Sequence, residues 1–572
     1  MDAAVRGSLH DHVRGLALAL IDSPQLAACD AAAEPQAVPD TSGDTPFGRG
    51  CGTARRKGGA CRGGVAHTGA PGGDTPPCEP SPEASFMSVT RRDFVEHALA
   101  MAGAALAVGT VPAAAQETPR ARALGPNETL RVAVVGLNGR GDSHLSAWLS
   151  DPNAAVATVC DVDPAAIEKR RSRFKDRELP AVVADFRRIL DDPRIDAVSI
   201  ATPNHWHALM SIWAMQAGKD VYVEKPCSFT VEEGREMTKW ARKLGRICQM
   251  GAQSRSMTGM RDSIAFIHGG GIGDVKVAHA LCYKRRPSIG WVNAPAPIPS
   301  GVDFDLWAGP APAIVPVRQR LHYDWHWNRL TGNGDLGNQN PHELDKARWA
   351  LGKNELPKRV VSVGGRLGYV DNGDTANSQL TVFQWDDALL ISEVRGLEIK
   401  TPPTIARQAG PVGVANIYWG TKGYLVTPSY ASGVAFDYDG KELGKWSGGN
   451  DRLHFANFAA AVRSRNHADL HLDVEDGHYS SALAHLGNVS WMLGERAPLG
   501  TRPTLAANEP HVVATFEGFE QHLRGNMIDF TDTPLVVGRE LVVDPQTERA
   551  SDPAANALFT REYRRGYELP RT

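Results

Sequence analysis

The chain has 572 residues, enough for two or more domains, and its 62 Lys and Arg nearly balance 65 Asp and Glu, for a net charge of −3. That balance carries no strong basic field for nucleic acid, so none is expected as a partner. No apolar run reaches the length of a membrane span.

Residues 1–86 are rich in Gly, Ala and Pro, as in GGACRGGVAHTGAPGGDTPPCEPSPE. Such a stretch cannot bury enough apolar surface to offset its ordering entropy, so disorder is expected. Met87 reads as a second start, which puts in question whether 1–86 belongs to the natural product. It opens a twin-arginine signal over 87–115: Thr90-Arg91-Arg92-Asp93-Phe94, a weakly apolar segment from Ala98 to Val111, then Ala113-Ala114-Ala115 before Gln116. The expectation is export, to the periplasm or beyond, of an already folded protein. Past Ala115 the cysteines are Cys160, Cys227, Cys248 and Cys282. They form no C-x-x-C pair, and no His/Cys/carboxylate set has ligand spacing, so no metal is expected.

The next segment carries the most information. An apolar run, Val132 to Val135, feeds the turn Gly136-Leu137-Asn138-Gly139-Arg140-Gly141 and a helix-like stretch. A second run, Val156 to Cys160, ends on Asp161. Strand, glycine turn, helix N-terminus and a subsequent acid are what a dinucleotide requires: free N–H groups hold the pyrophosphate and the acid takes the ribose hydroxyls. Gly136, Asn138, Gly139, Arg140, Gly141 and Asp161 are therefore expected at the cofactor. Asn138 stands where the fingerprint has its second glycine, and Asn tolerates positive φ. Asp161 repels a 2′-phosphate, which favours NAD over NADP. It could instead cap the next helix, a task Asp163-Pro164 could also perform.

Strand and helix patterns then alternate. Ala197 to Ile200 is a buried-type strand that leads to Thr202-Pro203-Asn204, and His207 to Ala217 reads as a helix. Val221 to Val223 ends on Glu224-Lys225-Pro226. Thr230 to Leu244 is a helix with Thr230 and Glu233 as a capping box, and Ile247 to Met250 closes the series. Repeated βα units imply an α/β domain with a doubly wound parallel sheet over 126–252, with function at the C-terminal strand ends. From 253 to 545 the pattern suggests an α+β domain with a mostly antiparallel open sheet. Its expected strands are Val275–Leu281, Val360–Val363, Gln379–Phe383 and Ala388–Val394, and its late helices Leu453–Ser464 and Gly477–Leu493. Residues 546–572 form a tail. An open sheet face in such a domain often pairs with another subunit, so a homo-oligomer is expected.

Two segments carry the chemistry. A lysine at a strand end, Lys225, would face the nicotinamide pocket, and burial would lower its pKa and ease proton transfer. Later, His342 begins a helix-like run with Asp345 one turn on. A histidine can take a hydroxyl proton as hydride leaves the same carbon. Just upstream, Tyr323, Trp325 and His326 supply the flat apolar platform with polar edges that a sugar face needs, although such aromatics can equally be core packing.

These motifs resemble the Gfo/Idh/MocA oxidoreductases. The E-K-P motif is Glu224-Lys225-Pro226, and A-T-P-x-x-x-H-A is Ala201-Thr202-Pro203-Asn204-His205-Trp206-His207-Ala208. The resemblance implies that Thr202, Pro203, Asn204, His207, Glu224, Lys225 and Pro226 line the cofactor site. It also implies that Lys225 and His342 flank a substrate beside the nicotinamide. The family's Asp of D-x-x-x-H falls on Asn338, whose amide can orient a hydroxyl or His342 but cannot stabilise an imidazolium by charge. The implied activity is NAD-dependent oxidation of a sugar, cyclitol or glycoside hydroxyl. The alternatives are an NAD-dependent glycosidase with a redox-neutral cycle and a non-catalytic carbohydrate-binding relative.

Overall fold

The computed structural model describes residues 124–125, 128–312, 318, 320–400, 413–529 and 535–572. The stretch 1–86 and the signal 87–115 lie outside the described residues.

The first layer is a six-stranded parallel sheet in the order β3-β2-β1-β4-β5-β6. Its strands are β1 Leu130–Val135, β2 Ala154–Cys160, β3 Ala181–Val183, β4 Ala197–Ile200, β5 Asp220–Glu224 and β6 Cys248–Gly251. The strands are near-continuous apolar runs because both faces are covered. On one face Val135, Val198 and Ile200 pack with Leu209 and Met237. These come from α2 (His207–Gln216) and α3 (Val231–Leu244); α1 is Arg140–Ser150. The Thr230 hydroxyl caps α3 by accepting the Glu233 N–H at 3.3 Å, while the Glu233 carboxylate accepts from Phe229 N–H at 2.7 Å. The return bond thus reaches one residue further back than in a standard capping box.

The opposite face holds Val132, Val134 and Trp148 against Phe455 and Phe458. Those two rings come from a helix far along the chain, Arg452–Ser464. The parallel sheet therefore ends near residue 252, but its core is completed from beyond it. Strand order reverses between β1's two neighbours, β2 and β4, and the crevice at that switch point opens outside the carboxyl ends of the strands.

The second layer is a mostly antiparallel sheet, of twelve strands among the described residues. Its centre is β7 (Val275–Cys282), β8 (Arg359–Gly365), β9 (Ser378–Gln384) and β10 (Leu389–Arg395). β7 and β10 pair in parallel; the other neighbours are antiparallel. These four match the expected strands within about two residues. The sequence reading leaves unassigned the hairpins β11 (Val414–Gly420), β12 (Gly423–Thr427), β13 (Ser432–Asp437) and β14 (Glu442–Ser447). Ala278, Ala280 and Leu390 face helices Pro341–Ala350 and Val474–Met492, while Val277 and Ile391 face helix Pro510–Gly525. The tail carries a short helix, Pro553–Leu558, and docks back on the parallel-sheet domain: Trp240 Nε1–H donates to Pro570 O at 3.0 Å.

Candidate active site

The turn after β1 is shaped by close approach. Gly136 has φ 78°, and a Cβ there would lie 2.7 Å from the Ala201 carbonyl oxygen. At Gly141 a Cβ would fall 1.8 Å from the Gly136 carbonyl oxygen. Gly139, at φ 50°, has nothing within 4 Å of its Cβ position and precedes the first turn of α1. Asn138 is not among the positive-φ residues. Gly136 and Gly139 bear the left-handed conformations, so Asn138 does not stand in for a glycine by tolerating positive φ. Open space at a helix N-terminus with free N–H groups fits a pyrophosphate.

Asp161 closes this cradle. Its carboxylate accepts the Leu137 N–H at 2.7 Å and the Asp163 N–H at 3.0 Å, and burial raises its pKa against the pull of those bonds. Asp161 does not cap the next helix; Asp163 does, accepting from Ala165 N–H at 2.8 Å with Pro164 in the first turn. Together these residues fit a dinucleotide.

A crevice of about 400 Å³ runs along the strand ends, from Ala184–Arg187 after β3 to Lys225 after β5 and Gln253 after β6. Its wall includes Gly136, Asn138, Gly139, Arg140, Asp161, Thr202, Pro203, Asn204, His207 and Glu224. Gly141 and Pro226 stand outside the wall. Gly141 packs on the turn, and the Pro226 carbonyl meets His207 Nδ1 at 2.6 Å. His207 Nε2 lies 2.8 Å from the Thr202 carbonyl, so this ring ties the two motif loops together. Burial lowers its pKa, and a neutral ring donates to only one of these carbonyls.

At the reaction end, Glu224 is a hub. It accepts from Arg140 Nε at 2.8 Å, His144 Nε2 at 3.1 Å and Gln253 Nε2 at 3.1 Å. Burial alone would raise its pKa, but the Arg140 charge and the His144 hydrogen bond outweigh it and hold the carboxylate well below its usual range. His144 must donate to Glu224, so its Nδ1 accepts from the Ser199 hydroxyl, which itself accepts from Trp148 Nε1–H. Arg140 also meets Asp451 at 2.7 Å, and its Nη2 is buried without a protein partner.

Lys225 is half-buried at the end of β5. It lines the crevice and its ammonium donates to the Asn338 backbone carbonyl. Burial lowers its pKa. His342 shares the wall, its ring 4.8 Å from that of Tyr430 and its Nδ1 without a protein partner. Burial, then the Lys225 charge, hold its pKa well below the usual imidazole value. Asn338 lies there too, and His326 Nδ1 meets the Tyr323 carbonyl at 2.5 Å. Tyr323, Trp325 and His326 all line the same cavity, with Trp325 and His326 stacked at 3.6 Å.

Asp345 does not belong to the site. It is fully buried, held by Arg255 at 2.8 and 2.9 Å and by the Ser480 hydroxyl at 2.7 Å. One turn along the helix separates it from His342, but its side chain points into the core between the layers. Beside His342, Glu343 is fully buried 3.9 Å from Lys346, and burial pushes it up to about 7.

The sequence reading misses several wall residues: Gln253, Leu306, Trp307, His322, Tyr430, Asp451 and Tyr567. They come from short helical turns, loops and the tail, and carry no motif. Only His322, whose Nε2 meets Asp163 at 2.7 Å, stands near an aromatic run that is legible in the sequence.

The match to a family model falls on the parallel-sheet domain that carries this cradle. Residues 130–252 match the Gfo/Idh/MocA family described as "Oxidoreductase family, NAD-binding Rossmann fold". The chain is 35% identical over 156 residues to a glycosyl hydrolase family 109 protein of Saccharopolyspora erythraea, covering 26% of this chain and 34% of that protein. It is 32% identical over 129 residues to an alpha-N-acetylgalactosaminidase of Shewanella oneidensis, covering 22% and 28%. The chain thus spans about a third of the length of the curated relatives it matches. A levoglucosan dehydrogenase in complex with NADH and levoglucosan aligns with a TM-score of 0.49 at 18% identity, over 62% of this chain and 95% of that one. The WlbA dehydrogenase of Bordetella pertussis in complex with NADH and UDP-GlcNAcA aligns with a TM-score of 0.47 at 17% identity, over 62% and 95%. Residues 130–252 are thus similar to the NAD-binding Rossmann domain of the Gfo/Idh/MocA oxidoreductases.

Proposed function

We propose that the chain is an NAD-dependent oxidoreductase acting on a hydroxyl of a sugar, cyclitol or glycoside. The observation that carries this reading is one continuous crevice, in which the glycine-turn cradle leads to Lys225 and His342 beside the Tyr323–His326 aromatic platform. A nicotinamide bound at the Lys225 end supplies the acceptor for hydrogen leaving a carbinol carbon. The protein handles the proton. Burial makes the neutral amine of Lys225 accessible, and Nζ takes the hydroxyl proton while the Asn338 carbonyl holds the resulting ammonium in place. His342, kept neutral, offers a lone pair to orient the hydroxyl. Glu224, ionised next to Lys225, favours the charged amine once the proton has arrived. Trp325 and Tyr430 line the crevice against His326 and His342.

A second reading is favoured by the names of two relatives, a glycosyl hydrolase family 109 protein and an alpha-N-acetylgalactosaminidase. It is a redox-neutral glycosidase, in which oxidation at one ring carbon acidifies a neighbouring C–H and the glycosidic group is eliminated. Water addition and reduction then close the cycle. A panel of sugars, cyclitols and 4-nitrophenyl glycosides, assayed with and without added NAD, tests both. Net NADH formation supports the dehydrogenase; nitrophenol release without NADH accumulation supports the glycosidase. Neither signal on any substrate refutes the enzymatic reading.

We propose further that the chain is exported through the twin-arginine pathway. The segment Thr90 to Phe94 and the alanines at 113–115 support this. A secreted form whose N-terminal sequence begins at Gln116 is the expected result. A homo-oligomer formed through the second sheet, where β14 is an edge strand, is tested by sedimentation.

A further inference from the structure

Two segments from outside the Rossmann domain meet over the β3 end of the crevice, away from Lys225. The first lies between β7 and β8. Asp303 N–H donates to the Val162 carbonyl at 3.3 Å, and Leu306 and Trp307 enter the crevice wall. His322 fastens the same segment to Asp163, two residues past the ribose acid. The second is the C-terminal tail. Arg561 Nη2 donates to the His205 carbonyl at 2.6 Å and pairs with Glu233 at 2.8 Å, and Thr572 N–H donates to Glu236 at 2.9 Å. These bonds bring Tyr567 into the crevice wall, 5.5 Å from the Trp206 ring and 6.2 Å from the Trp213 ring. The two segments are joined to each other: Arg564 Nη1 meets the Asp305 carboxylate at 2.6 Å, and Arg564 lies 4.8 Å from the Tyr567 ring.

Position along the sheet identifies what this end holds. Asp161 follows β2, and Ala184 to Arg187 follow β3, the outermost strand on that side. Lys225, at the reacting end, follows β5. A dinucleotide laid with its pyrophosphate on the glycine turn and its reactive ring by Lys225 puts its adenosine past Asp161, among these aromatic rings.

We propose that Tyr567 and the Arg564–Asp305 clasp form an adenosine subsite, in which the tail stacks on the adenine and slows release of the dinucleotide. The inference rests on the proposed NAD-dependent function and assigns to the last residues of the chain a part in holding its cofactor. An adenine presents a flat apolar face, and an aromatic ring fixed by a docked strap is a low-entropy partner for it.

The test uses the full chain and two probes, NADH and ADP-ribose. Tyr567→Ala is expected to raise the NADH dissociation rate, and to weaken ADP-ribose, by about tenfold, the range for losing one base-stacking ring. Tyr567→Phe keeps the ring and is expected to match wild type in both. Arg564→Ala, should Tyr567→Ala fold poorly, is expected to speed NADH release in the same direction, and the exchange Arg564→Asp with Asp305→Arg to restore it. Wild-type release rates in Tyr567→Ala and Arg564→Ala would overturn the subsite while leaving the NAD-dependent reading intact. A wild-type protein that binds neither probe would overturn both.

Discussion

The ammonium of Lys225, at the end of β5, donates to the backbone carbonyl of Asn338, from the second domain. The anchor is main chain, so the identity of the side chain at 338 does not decide where the amine sits. Asn338→Ala is expected to lower kcat by less than about tenfold. Lys225→Met is expected to lower it by about a hundredfold to ten-thousandfold, the range for losing a positioned acid–base group. Comparable losses in both variants would show that the Asn338 amide itself contacts substrate.

The NAD preference is expected to depend on Asp161 in two ways. Its carboxylate repels a 2′-phosphate, and it also holds the Leu137 N–H within the glycine turn. Asp161→Ser should weaken NAD by about tenfold, roughly the value of a charge-assisted hydrogen bond, while NADP weakens less or gains. Fluorescence titration with NADH and NADPH measures the ratio; equal weakening of both would mean that the acid serves only the turn.

Acid is expected to destabilise the fold. Burial pushes His205 down to about 3, and His454 and His485 down to about 4, from an ordinary 6.5. Above that ordinary value the rings are neutral in both states and contribute no pH dependence. Below it the unfolded chain takes up protons that the folded chain refuses, so stability falls as pH drops from about 6.5 toward 4, by up to about 1.4 kcal/mol per pH unit for each ring. Urea midpoints at pH 7.5, 6 and 5 measure this; a midpoint that rises on acidification contradicts it.

Asp345 offers a contrast. Its pair with Arg255 is almost wholly buried, with side chains 0% and 7% exposed. Asp345→Ala leaves that guanidinium with only the partly exposed Asp476, 3.9 Å away, and is expected to cost about 3 kcal/mol of stability. The folded fraction, assayed at low temperature, should keep its substrate KM. A raised KM in a fully stable variant would return Asp345 to the site.

Legibility in the sequence tracks periodicity and local chemistry. The parallel strands and Thr230's cap are readable because buried apolar runs and capping side chains act within a few residues. Lys225 and His342 are readable because each sits at the end or start of an element. Asp345 is misassigned because helical spacing brings two residues to one side of a helix without stating what lies there, and Arg255 is what lies there. The expectation for Asn138 fails for a related reason: a glycine pattern does not reveal which position carries positive φ. Tyr567, Trp307 and Tyr430 are invisible, because their place in the wall depends on short helical turns, loops and a tail whose paths are set by tertiary contacts alone.

Phe455, stacked on Tyr222, and Phe458, edge-on to Trp148, are made more than two hundred residues after the sheet they cover. A ribosome that has just finished β6 has therefore released a half-clad layer, with one greasy side exposed to whatever is nearby. Truncation at that point should yield a sticky, insoluble product rather than a miniature nucleotide binder. Newly made protein must wait in that vulnerable condition until synthesis has passed residue 464.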